Sequence, residues 1–89
     1  LSLTLQIDKT EYDLGETITI KGIGKSDSQK LFIKIISETG EQITLLSTPL
    51  TADGNFTTPW VIPNGTPTGT YTIEVNDNQN SDSVEIFII

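Results

Sequence analysis

Few side chains in this sequence could do chemistry. It contains no His and no Cys. Every nucleophile relay built on an imidazole or a thiolate is therefore excluded, as is any zinc site that needs those ligands. Carboxylates, hydroxyls and five Lys remain. Paired carboxylates can run acid–base hydrolysis. Here, however, the acids fall in turns and at the polar positions of alternating stretches, where water solvates them. Lys25-Ser26 sets an amine beside a hydroxyl, but in a polar loop with no accompanying oxyanion motif. No glycine loop of the phosphate-cradling kind is present. The reading is a protein that is not an enzyme, with no catalytic and no cofactor-binding residues.

One turn has the composition of a cation site. Ca²⁺ takes carboxylate and carbonyl oxygens, and Asp77, Asn78, Asn80 and Asp82 cluster in a single turn. Their spacing is not that of an EF-hand. Turns rich in Asn and Asp also form without metal, because these residues tolerate unusual φ and bond their own backbone. No metal ligand and no cofactor is assigned. Asp77 and Asp82, or a site shared with a neighbouring module, are where Ca²⁺ would be sought.

Two aromatic residues admit a binding role and a structural one. Trp60, the single Trp, is either a platform for stacking a sugar or a core residue between two sheets; large aromatics dominate small sandwich cores, which favours the second. Tyr71 could line a site, but it follows Pro67-x-Gly69 at the start of a strand. That is where a tyrosine corner places its ring, with the hydroxyl bonded to nearby backbone. Two glycosylation sequons, Asn55-Phe56-Thr57 and Asn64-Gly65-Thr66, permit an extracellular location. With five Asn and 21 Ser or Thr in 89 residues, about one sequon arises by chance, so they do not require it.

The elements that must position these residues are strands. Thirteen residues are Ile and fourteen are Thr, against a single Ala. β-branched side chains lose rotamer freedom in helices and pack well on a pleated sheet. Leu1, Leu3, Leu5 and Ile7 alternate with polar residues, as do Ile18 and Ile20, which marks strands with one buried face. DKTEYDLGE connects these two, with Tyr12 and Leu14 expected to tuck against the sheet end. After a polar loop, GKSDSQ, the stretch KLFIKIIS is apolar on both faces and reads as a central or covered strand. Glu38-Thr39-Gly40-Glu41 is a tight turn into QITLLS. Pro49 and Pro59 suit edges or bulges. Asp53-Gly54 signals a hairpin into NFTTPWVI. Pro63 to Gly69 crosses between sheets. Tyr71, Ile73 and Val75, then Val84, Ile86 and Ile88, are the inward faces of the last two strands. The pattern predicts an all-β, immunoglobulin-like antiparallel β-sandwich of about seven strands.

Two stretches carry a family resemblance. Asp8-Lys9-x-x-Tyr12-x-x-Gly15-Glu16-x-Ile18-x-Ile20-x-Gly22 opens the chain. Asp53-Gly54-x-Phe56, Trp60-x-Ile62-Pro63 and Pro67-x-Gly69-x-Tyr71-x-Ile73-x-Val75 make its second half. Together they resemble immunoglobulin-like modules of the macroglobulin type, which recur in tandem in bacterial and archaeal cell-surface proteins. The resemblance covers nearly the whole chain. It implies a fold more than a function, since such modules host many functions.

The 89 residues make one domain, 1–89. The chain lacks an initiating Met and starts inside an apparent strand, which reads as a segment excised from a longer multidomain chain. Twelve carboxylates against five Lys give a net charge of −7. Without a basic patch, nucleic acid is not an expected partner, and an anionic membrane surface would repel the domain. The expected partners are neighbouring modules of the same chain or lattice. The function expected is a non-catalytic structural, spacer or adhesive module of an extracellular cell-surface protein. The alternative is a module that binds a carbohydrate or protein through its loops; an exposed row of aromatics would favour it, and six aromatics, most needed inside, leave none to spare.

Overall fold

The computed structural model describes residues 3–24, 30–49 and 53–89. Leu1, the Lys25-Ser26 pair and most of the GKSDSQ loop lie outside the described residues. Among the described residues there are eight strands: β1 (Thr4–Gln6), β2 (Glu11–Tyr12), β3 (Thr17–Ile23), β4 (Lys30–Ser37), β5 (Gln42–Pro49), β6 (Asn55–Val61), β7 (Gly69–Asn76) and β8 (Ser81–Ile88). They form two sheets. One has the order β1-β3-β6 and the other β2-β8-β7-β4-β5. Pairing is antiparallel except between β2 and β8. This is the all-β two-sheet sandwich that the alternation predicts.

Strand period explains the core. Ile18 and Ile20 of β3 point inward, facing Leu31, Ile33 and Ile35 of β4, Tyr71, Ile73 and Val75 of β7, and Ile86 and Ile88 of β8. All are buried. β4 lies between β7 and β5, as its apolar faces require. Burying one such side chain contributes about 1.5–3 kcal/mol, so these alternating rows hold the two sheets together. No helix is present among the described residues.

Three features differ from the sequence reading. The connection after β1 contains an eighth strand: Glu11 and Tyr12 lie beside Phe87 and Ile88, extending the larger sheet by a two-residue parallel pairing. Two residues are too few for periodicity to show. Tyr12 is buried, but Leu14 is exposed, because the turn that follows lifts it off the sheet. Leu5, Ile7 and Val84 are half-buried, since β1 is an edge strand and Val84 lies near the start of β8.

Gly22 shows why the smaller sheet can form. A Cβ there would stand 1.9 Å from the Thr4 carbonyl oxygen and 2.8 Å from the Phe56 ring. The β1 backbone, paired through Leu5 to Gly22, occupies the space a side chain would need.

Candidate functional site

The opening signature is a clasp built from short-range contacts. Tyr12 Oη donates to Asp8 Oδ1 at 2.7 Å and accepts from the Lys9 backbone N–H at 3.2 Å. The Lys9 ammonium pairs with Glu16 Oε2 and lies 5.0 Å from the centre of the Tyr12 ring. Glu16 Oε1 accepts from the Asp13 N–H at 2.7 Å. The clasp then grips the second half of the chain: Gly15 N–H donates to the Ile62 carbonyl at 2.9 Å, and Ile62 N–H donates to the Glu16 carbonyl at 2.9 Å. The two stretches that carry the family resemblance therefore meet at one end of the sandwich.

Ionisation follows the geometry. The bond from Tyr12 holds the Asp8 carboxyl below its ordinary range. The Lys9 contact lowers Glu16, and Glu16 in turn raises Lys9. Burial, then the bond to Asp8, pushes the Tyr12 phenol up to about 12. The Lys9–Glu16 pair is solvated, so it contributes little stability by itself. The Tyr12 hydroxyl, far from reaching solvent, makes two hydrogen bonds.

Tyr71 forms the corner expected of it. Its hydroxyl donates to the Pro67 carbonyl at 2.6 Å, and the ring is buried. Gly69 just before it has φ of 144°. A side chain there would be strained, and its Cβ would meet Glu38 Oε1 at 3.0 Å. Burial raises the Tyr71 phenol, with Glu38 and Glu41 adding to the rise.

Trp60 is a correction. It points inward, in register with Ile18, but is only half-buried rather than enclosed. The face is the one the alternation predicts; the depth is not, because β6 is an edge strand. β5 is the edge of the opposite sheet, and a groove of about 330 Å³ lies where the start of β5, Trp60 of β6 and the crossing loop meet. Ile43, Thr44, Trp60, Pro63, Thr66 and Pro67 line it. A second hollow, sharing Ile43 and Pro67, is lined by Glu38, Glu41 and Tyr71.

The acidic turn works as backbone support. Asp77 Oδ1 accepts from the Gln79 and Asn80 N–H groups at 2.9 and 2.6 Å, and Asn76 Oδ1 from Asn78 N–H at 2.6 Å. Asn78 takes φ of 76°, which Asn tolerates. Asp82 turns away from this loop. Its Oδ2 accepts from the Leu5 N–H at 2.9 Å, joining β8 of one sheet to β1 of the other. The sequence contained this signal: Asp82 has the parity of Val84, Ile86 and Ile88, an acid on an inward face. Among the described residues, no three His, Cys, Asp or Glu come together as a metal site. Of the two sequons, Asn55 starts β6 with its amide bonded to Asp53, and Asn64 lies in the crossing loop; both are exposed.

No family model matches the sequence, and no curated protein does. Solved structures match the fold. Escherichia coli alpha-2-macroglobulin activated by porcine elastase aligns over 98% of this chain with a TM-score of 0.75 and 20% identity. A beta-glucosidase from Listeria innocua, in complex with glucose, aligns over 98% with a TM-score of 0.53 and 15% identity. The chain spans 8% of the first of those proteins and 16% of the second. What the chain shares with them is the fold, an all-β two-sheet sandwich, and the stronger likeness is to a part of the macroglobulin.

Proposed function

We propose that the domain is a non-catalytic structural module, a spacer or adhesive unit, of a protein displayed on the cell surface. One observation carries this reading. Most of the polar side chains that the sequence singles out bond the domain's own backbone: Glu16 to Asp13, Tyr12 to Lys9, Tyr71 to Pro67, Asp77 to Gln79 and Asn80, and Asp82 to Leu5. The family resemblance and the likeness to a macroglobulin domain support it. The partners on this reading are neighbouring modules of the same chain or lattice. An antibody raised against the purified domain tests the location. It is expected to stain intact source cells; staining only after permeabilisation would overturn the proposal.

A second reading, ligand binding, is favoured by the open groove beside Trp60. It points to a protein ligand rather than a carbohydrate. The other partly exposed aromatics, Phe32 and Phe87, share the outer face of the larger sheet. They align with Ser81 and Phe87 of β8, six residues or about 20 Å apart, too far to make a stacking row.

A further inference from the structure

We infer that the seam between β5 and β6 takes up an extended, basic polypeptide segment as an added strand along β5. Among the described residues β5 pairs with β4 alone, so its outer edge is the one that could pair with an added strand. Natural sheets blunt such edges with charged side chains, mid-strand Pro or an inward-pointing acid. The three other edges here are blunted: β6 carries Pro59 in mid-strand, the Leu5 N–H of β1 is covered by Asp82, and β2 is only two residues long, one of them Glu11. β5 has no charged residue among its eight and a Pro only at its far end. In a chain of net charge −7, that is the strand left open to pairing.

The groove fits what such pairing would bring. Side chains of an added strand alternate between its two faces. One set would point outward beside Leu45, which is already exposed. The other would drop between the sheets, onto Trp60, Ile43, Pro63 and Pro67. A volume of about 330 Å³ accommodates a large apolar side chain. Charge sets the composition. The adjoining hollow is lined by Glu38 and Glu41, and no Lys lines either space among the described residues. An inward-facing Lys or Arg two positions from the apolar anchor would reach this end. The occupant is therefore a segment of the pattern cation-x-aromatic-x-aliphatic. Backbone pairing would supply affinity and the groove would supply selectivity. This holds wherever the domain resides, so the staining experiment does not bear on it.

The test uses the purified domain and a blocked synthetic peptide, Thr-Lys-Thr-Phe-Thr-Val-Thr. Amide shifts of Gln42 to Thr48 and the emission of the single Trp are followed in titration to millimolar peptide. Saturable changes at both are expected. Replacing the peptide Lys by Glu should weaken binding at least tenfold, and Glu38→Gln with Glu41→Gln in the domain about three- to tenfold. N-methylating alternate peptide amides keeps the side chains and removes strand pairing; it should abolish binding without touching the fold of the domain. No response to the Lys peptide overturns the inference. So does equal binding of the Glu or the N-methylated peptide. Concentration-dependent shifts of β5 without any peptide would also overturn it, by making a second copy the occupant.

Discussion

The two seams of this sandwich are built from the same materials and end up opposite in character. At one, the chain itself crosses from β1 to β2, and Asp82 reaches over to bond the Leu5 N–H. Tyr12 lies buried beneath the crossing, held by Asp8 and Lys9. At the other, β5 and β6 face each other, and a groove lies where the start of β5, the half-covered Trp60 and the crossing loop meet. Each seam has an apolar inward row. What differs is the provision for edge backbone. The closed seam has a carboxylate aimed at an edge N–H, and the open seam has an uncharged strand. Burying the interior and finishing the edges are separate tasks, and this chain leaves the second undone at β5.

Gly22→Ala should have the largest effect on that contrast. The added Cβ would collide with the Thr4 carbonyl and force β1 away from β3. A loss of about 3 kcal/mol is expected in a denaturant melt, at the upper end for overpacking. Faster hydrogen exchange should be confined to β1 and its neighbours. An unchanged midpoint would mean that β1 does not close the seam.

Tyr12→Phe comes next. It removes a bond to a carboxylate and leaves the Lys9 N–H without its acceptor, for about 2–3 kcal/mol. Tyr71→Phe removes a single bond to a carbonyl and should cost about 1–2 kcal/mol. Alkaline titration sharpens the difference. The Tyr12 phenol is raised to about 12 in the folded protein from 10.0. A raised phenol pKa means the folded state holds its proton longer. Its stability contribution is therefore complete below pH 10 and disappears as pH rises to 12. Tyr12→Phe should flatten melting temperature against pH in that window. An unflattened profile would place the alkaline transition elsewhere.

Asp82→Ala should be the mildest, at about 1 kcal/mol for a part-buried backbone N–H that loses its partner. Its signature is local: the Leu5 amide should exchange faster while amides around Trp60 keep their rates. If amides on both sides of the sandwich accelerate equally, the seams are not independent.

Much of this was legible in the sequence because it depends on neighbours a few residues apart. Alternation with period two placed Ile18, Ile20, Ile73, Val75, Ile86 and Ile88 on inward faces, since successive strand side chains point opposite ways whatever surrounds them. Pro67-x-Gly69-x-Tyr71 predicted a corner closed by a bond only four residues long. Tertiary structure alone decided the rest. How deep Trp60 sits depends on which strand faces β6 across the seam. Asp82 gained its role from Leu5, 77 residues away, and Tyr12 lost contact with solvent when β2 found β8. A periodic pattern specifies which face a residue shows. Which strands become edges, and which edge backbone finds a partner, depends on pairings between distant segments that no local pattern encodes.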